Sequence, residues 1–286
     1  MRLASFLAGN RPAYGVVTDD GIIDLSARFG ERYPDLKAWL GAPAEAVRAA
    51  AASAGRPDFR TEDVIFLPTI PNPGKILCVG LNYHAHLAET GKAETAHPPI
   101  FLRVADSQQG HGQPLLVPPE SHKFDFEGEV AVIIGTPGRR IAEANAWDHV
   151  AGYACYNDGS VRDWQVHTPQ WGPGKNFYRT GGFGPWMVTA DEIAPGAVMT
   201  LTTRLNGEEV QRTTTDLLIF SIPHLIAYLS TVMRLETGDV IVSGTPGGVG
   251  AKRNPPLWMK AGDVVEVEVD RIGVLRNPVA SDPTAQ

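Results

Sequence analysis

Cysteine is scarce. Only Cys78 and Cys155 occur in 286 residues. They lie far apart, each inside an apolar, strand-like run, and neither has the spacing of a zinc ligand. A disulfide scaffold is therefore disfavoured, and two reduced core thiols are expected. Long basic runs are also missing, and the net charge is −7. Neither nucleic acid nor a membrane surface is expected as a partner. An acidic chain that takes an anionic substrate needs a local positive centre, which a bound metal supplies. Residues 217–233 are the longest apolar stretch, and Ser221, Pro223 and His224 interrupt it. It reads as core, not as a membrane span. The opening segment MRLASFLAGNRPAYG is too short and too soon interrupted for a signal peptide, so a cytoplasmic protein is expected.

Glycine and proline are plentiful, at 30 and 23 residues, but scattered. That pattern implies many turns and a β-rich fold, not collagen or a disordered tract. Residues 1–70 read as a small N-terminal α/β module, with short alternating segments at 2–7, 13–18 and 21–24 and an Ala-rich, helix-prone stretch at 44–54. The sequence LPTIPNPG at 67–74 looks like a linker, and residues 71–286 form the larger region. Strands are expected there at 75–79, 99–104, 127–134, 153–157, 186–189, 199–205, 239–243 and 264–269. One good helix is expected between Asp216 and Leu235, with Ser221 as N-cap and Pro223 in its first turn. The fold class is a β-rich α+β domain with long functional loops.

Four clusters carry chemistry. In the first, His86 and Glu89 are three apart and share a face if the segment turns helically. A carboxylate that orients a histidine makes a general base, although a surface ion pair is the commoner outcome of that spacing alone. His84 would point elsewhere, in a structural or supporting role. In the second, Asp125, Glu127 and Glu129 alternate along a strand, which crowds three carboxylates onto one side. They repel unless a cation sits among them, and all-oxygen donors suit Mg²⁺, Mn²⁺ or Ca²⁺ rather than zinc. A solvated acidic edge strand competes with that reading.

The third cluster is Asn157-Asp158-Gly159-Ser160-Val161-Arg162-Asp163-Trp164-Gln165. Asp158 ends an apolar strand as a further candidate ligand, and Arg162 is placed to pair with a substrate carboxylate or with Asp163. An Asp N-cap with an ion pair beyond it explains the local sequence equally well. Lys175 follows on a Gly/Pro loop. The fourth cluster, Ser243-Gly244-Thr245-Pro246-Gly247-Gly248-Val249-Gly250, follows a strand, and such loops approach anions with backbone N–H groups. It lacks the Gly-Lys-Ser/Thr ending of a phosphate loop and is no dinucleotide fingerprint. The Thr245 hydroxyl is expected to meet a carboxylate; a plain turn is the alternative.

Taken in order, these segments resemble the fumarylacetoacetate hydrolase family from Pro73 to Pro278. The matching pieces are strand-GxNY-HxxE at 75–89, PxxFxK at 99–103, DxExELxxVIG at 125–135 and GYxxxNDxSxRDxQ at 152–165. KxF at 175–177 with Gly184-Pro185, NGxxxQ at 206–211, GDVIxTGTP at 238–246 and GxLxNP at 273–278 complete the series. The resemblance is to shorter, bacterial-type members with a small N-terminal module. It implies a rolled mixed β-sheet core and a homodimer.

By that resemblance Glu127, Glu129 and Asp158 are the metal ligands, for Mg²⁺ or Mn²⁺ with Ca²⁺ as a third candidate. Asp125 then drops to a supporting role. His86 and Glu89 become a water-activating dyad, and Arg162, Gln165, Lys175 and Thr245 line the substrate site. Lys175 and Gln165 are expected to stabilise an oxyanion, and Arg103 and Tyr178 to touch the substrate. The implied activity is hydrolysis of a C–C bond in an acylpyruvate-like 2-oxo acid of the fumarylpyruvate or fumarylacetoacetate type, through a metal-held enolate. Isomerisation or decarboxylation of a 2-oxo dicarboxylate, of the 2-hydroxyhepta-2,4-diene-1,7-dioate isomerase or oxaloacetate decarboxylase type, is the alternative, as is a lyase. A non-catalytic metal- or ligand-binding scaffold is the third reading. Two departures bear on the substrate: Arg103 stands where the family usually has Lys, and the segment after Lys175 carries Tyr178 and Arg179, which with Trp164 and Trp171 are candidates for reshaping the pocket.

Overall fold

The computed structural model describes residues 1–43 and 56–284. The helix expected at 44–54 lies outside the described residues. An 11-stranded mixed sheet is the spine. Its main path runs Gly21–Asp24, Arg11–Thr18, Arg2–Ala8, Gly181–Thr189, Val150–Asn157, Gly128–Ile134, Val240–Val242, Ile76–Val79 and Ile100–Arg103. A second sheet of 5 strands runs Glu208–Thr214, Thr200–Leu205, Val264–Val269, Gly273–Ser281 and Leu115–Val117. This is the expected β-rich α+β architecture.

The central strand Gly128–Ile134 shows why its sequence is apolar without alternation. Val130, Val132 and Ile134 face one core cluster, with Leu201, Val267 and Leu275 of the second sheet and Leu225 and Leu229 of a helix. Ala131 and Ile133 face another, with Leu3, Tyr14, Leu36 and Trp39 of the N-terminal segment. A strand covered on both faces reads as a continuous apolar run. The helix Ile222–Val232 forms as expected. Ser221 caps it by accepting from His224 N at 3.4 Å, Pro223 lies in its first turn, and Ile222, Leu225, Ile226 and Leu229 make its buried stripe.

Two features differ from expectation. The N-terminal strand Arg2–Ala8 pairs antiparallel with Gly181–Thr189, so residues 1–70 contribute strands to the sheet that also carries the later ones. The Pro-rich stretch 67–74 is a packed strap, not a solvated linker. Thr69 and Ile70 are fully buried, Thr69 N donates to Phe183 O, and the Ser5 hydroxyl donates to Thr69 O. Prolines suit such a strap because they fix φ and leave fewer N–H groups to satisfy.

Candidate active site

Strand register builds the acidic centre. Gly128 opposes Asn157 and Glu129 opposes Tyr156 across an antiparallel pair, and Asp158 N donates to Glu127 O at 2.8 Å. Glu127, Glu129 and Asp158 therefore meet at one end of two adjacent strands. One carboxylate oxygen from each lies within 4.8 Å of the others, and all three side chains are buried. Burial first, and the charges of Asp158 and Glu127 after it, push the Glu129 carboxyl well above the usual carboxylate range. Burial also works to raise Glu127, but Arg162, Lys175 and His86 outweigh it and hold Glu127 well below that range. Three crowded, buried oxygen donors with no thiol or imidazole among them fit a hard divalent cation.

Asp125 is not part of this group, contrary to the reading of 125, 127 and 129 as one strand face. The chain changes strand partners here: Phe124–Asp125 pairs with Ser160–Val161, and the long strand starts only at Gly128. Asp125 turns instead to Gly250 N, Ala251 N and Arg162 Nε, at 2.8, 2.9 and 2.8 Å.

Cations surround the carboxylates. Lys175 Nζ lies 2.6 Å from both Glu127 Oε2 and Asp158 Oδ2, and 4.8 Å above the Phe101 ring. Burial works against its charge, but Asp158 and Glu127 prevail and hold the ammonium above its ordinary pKa. Arg162 reaches Glu127 Oε1 at 2.6 Å and donates to Gln165 Oε1 at 3.0 Å. Arg103 does not face the substrate space. Its fully buried guanidinium sits behind Asp158 and donates to Asp158 Oδ1, Gly159 O, Ser107 Oγ and Thr180 Oγ1. Tyr178 is likewise outside, with half of its surface exposed. Both were expected at the substrate; strand direction turns the first inward, and the loop after Lys175 carries the second out.

His86 and Glu89 share the helix His84–Thr90, where their spacing places them on one face. His86 Nδ1 lies 2.7 Å from Glu89 Oε1, and Glu89 Oε2 accepts from Gly248 N at 2.9 Å. With Nδ1 committed to the carboxylate, Nε2 is the nitrogen left for proton transfer. His84 is exposed, 3.9 Å from Glu94.

The glycine-rich loop closes the site. Gly244 N donates to Glu129 Oε2, and it does so from a backbone at φ +110°, a conformation that favours glycine. A Cβ there would also strike Asn82, whose amide ties the loop at Ser243 O to Phe220 O. Thr245 Oγ1 donates to Gly128 O at 3.0 Å and accepts from Gln211 Nε2 at 2.9 Å, so it serves first as a clamp between loop and strand. Gln211 also accepts from Gly128 N. The motif containing Gln211 is visible in the sequence, but nothing there shows that it braces Thr245.

These groups line one cavity of about 290 Å³. Glu127, Glu129, Asp158, His86, Arg162, Gln165, Lys175 and Thr245 all face it, while Glu89, Arg103 and Tyr178 stand outside. Trp171, one of the candidates for reshaping the pocket, is part of the wall, as are Phe101, Lys92 and Lys252, which had no place in the sequence reading.

The family described as fumarylacetoacetate (FAA) hydrolase C-terminal matches residues 75–280. The chain belongs to the fumarylacetoacetate hydrolase family. It is 37% identical to the mitochondrial oxaloacetate tautomerase of Xenopus laevis, over 98% of this chain and 90% of that protein. Its fold is similar to that of the fumarylacetoacetate hydrolase of the psychrophile Exiguobacterium antarcticum, with a TM-score of 0.84 and 31% identity over 99% of this chain and 100% of that one. It is also similar to a maleylpyruvate hydrolase from a Sphingobium species, solved with manganese(II) and pyruvate. Here the TM-score is 0.81, with 30% identity over 98% of this chain and 99% of that one.

Proposed function

We propose that this chain is a divalent-metal-dependent enzyme that moves a proton at the carbon next to the carbonyl of a small 2-oxo acid, interconverting keto and enol forms. The observation that carries this reading is the joining of the His86–Glu89 dyad and the triad Glu127, Glu129 and Asp158 in one cavity. Those three carboxylates would hold Mg²⁺ or Mn²⁺. Such an ion supplies Lewis-acid polarisation to chelating carboxylate and carbonyl oxygens, which acidifies the adjacent C–H.

The chain's own groups do the rest. Glu89 fixes the imidazole with Nε2 as the basic nitrogen, and His86 accepts the proton from C3. Delivery of a proton to the 2-oxygen completes the keto-to-enol conversion, and the reverse sequence restores the ketone. Lys175 and Arg162 hold Glu127 ionised, Lys175 also bonds Asp158, and the Gln165 amide nitrogen is available to the substrate's oxygen. The tautomerase relative, matched over nearly the whole chain, supports this order of preference.

The second reading is hydrolysis of a C–C bond in an acylpyruvate, with His86 taking its proton from water instead of from carbon. The similarity to a maleylpyruvate hydrolase favours it, and Lys175 with Gln165 would then steady the oxyanion. A homodimer belongs to the same proposal. Leu102 and Val104 are exposed beside the sheet edge, and Asn176 ties that edge to the segment bearing exposed Tyr178. So does a cytoplasmic location, which two free buried thiols favour, although the Xenopus relative is mitochondrial.

One experiment separates the readings. Metal-loaded protein is given oxaloacetate, acylpyruvates and 2-hydroxymuconate-type diacids while enol absorbance and pyruvate are followed. Enol interconversion without pyruvate release supports tautomerisation, pyruvate released from an acylpyruvate with an equal amount of its carboxylic-acid partner supports hydrolysis, and pyruvate with CO₂ from oxaloacetate supports decarboxylation. Metal binding with no turnover of any of them would leave the non-catalytic scaffold.

A further inference from the structure

The inner cations of the cavity are already engaged. Arg162 contacts two carboxylates, Asp125 and Glu127, and Lys175 contacts two more, Glu127 and Asp158. Neither has a free two-pronged face for a second substrate carboxylate. Two other ammonium groups line the same cavity: Lys92 and Lys252. Among the described residues neither makes an ion pair within 4 Å, in contrast to the cations around the acidic centre.

Both side chains are exposed, but the segments that carry them are fixed against the site. Lys92 Nζ lies 5.0 Å over the Trp171 ring. Trp171 in turn packs on the bare backbone of Gly80 and meets the Phe101 ring edge-on at 5.6 Å. Lys252 closes the short turn Gly250–Lys252, whose N–H groups at Gly250 and Ala251 are bonded to Asp125. The carboxylate that orients Arg162 therefore also fixes the base of Lys252. The same lining includes apolar Val79, Phe101, Trp171 and Val249. Such a lining does not compensate an ammonium, but it suits the carbon skeleton of a substrate.

We propose that Lys92 and Lys252 bind a second carboxylate at the far end of the substrate, so that the enzyme selects 2-oxo acids bearing two carboxylates over their esterified or monocarboxylate counterparts. This rests on the 2-oxo acid reading above and adds the group that discriminates among such acids. Each contact is solvent-facing, so each is worth a modest factor, and the two together set the preference.

The test is a matched pair, oxaloacetate and its 4-methyl ester, given to manganese-loaded wild type, Lys92→Met, Lys252→Met and the double variant. A second pair, fumarylpyruvate and acetylpyruvate, covers the hydrolytic reading. The diacid-to-monoacid ratio of kcat/KM is expected to fall about threefold in each single variant and about tenfold in the double, mainly through KM. In the wild type it should shrink as salt is raised. An unchanged ratio in the double variant overturns the proposal while leaving the 2-oxo acid chemistry intact. If the wild type turns over neither pair, that chemistry fails. Calorimetric binding of oxaloacetate and its ester to wild type and double variant then decides the carboxylate question without turnover, and equal discrimination by the two proteins overturns it.

Discussion

Arg103 Nη1 meets Asp158 Oδ1 at 2.5 Å from behind the cavity, and both side chains are fully buried. The guanidinium also bonds Gly159, Ser107 and Thr180, so the arginine fixes one of the three acidic groups without touching the substrate space.

Arg103→Ala should therefore act first on folding. It leaves the buried Asp158 carboxylate with Lys175 but without the cation on its other oxygen, at a cost of up to about 3–5 kcal/mol. Arg103→Lys keeps the charge but has three donors where arginine has five, so it should cost less and leave one of those acceptors unmet. Denaturant unfolding of the two variants reads the difference. Equal stability of Arg103→Ala and wild type would refute the supporting role.

The acidic centre has a pH signature. Burial first, then Asp158 and Glu127, raise the Glu129 carboxyl, so the metal-free folded chain keeps a proton there at pH values where an ordinary carboxyl has lost it. The cation binds the ionised form and must displace that proton. Metal affinity should thus rise with pH, by up to about tenfold per unit, and flatten once the raised pKa is passed. The same shift favours the metal-free fold at low pH and lowers its stability as pH rises through the interval between the ordinary and the raised value. Titrating Mn²⁺ in buffers of different ionisation heat counts the proton released. Glu129→Gln should bind more weakly and lose the slope; affinity independent of pH in the wild type would exclude this coupling.

How much of this was legible depends on the range of the interaction. The helix over Ile222–Val232 was readable because its cap, its proline and its stripe are local. The His86–Glu89 pair was readable for the same reason. The convergence of Glu127 and Glu129 with Asp158 was not a matter of spacing; it comes from the register that sets Gly128 opposite Asn157. Family resemblance supplied it where periodicity could not. The misplacement of Asp125 has the same origin, since alternation assumes one continuous strand and the chain changes partners between 125 and 128. The strands Glu208–Thr214 and Gly273–Ser281 went unread because buried and exposed positions mix along them and polar residues interrupt the apolar ones, which weakens the apolar signal.

The dyad makes a separable claim. His86→Asn should lower kcat by about 10²–10⁴-fold while metal affinity stays close to wild type, because His86 is not one of the three converging carboxylates. Glu89→Gln should cost less, since an amide oxygen still accepts from Gly248 N but no longer stabilises the charged imidazolium. Steady-state rates with parallel metal titrations check both. A near-normal rate in His86→Asn would remove the base from the scheme.

Gly80 gives a purely steric handle on the cavity wall. A Cβ built there would sit 2.3 Å from the Trp171 ring, and the collision is with a side chain rather than with backbone. Gly80 also has no positive φ to lose. Gly80→Ala should therefore fold but push the indole away from Phe101, enlarging or tilting the wall and raising KM. If the wall is the cause, pairing Gly80→Ala with Trp171→Leu should recover part of the loss, because the smaller side chain leaves room for the methyl. The two changes touch the same contact, so their effects should deviate from additivity by about 0.5–3 kcal/mol in transition-state binding. Strict additivity of the two substitutions in kcat/KM would show that Trp171 does not rest on Gly80 in the working enzyme.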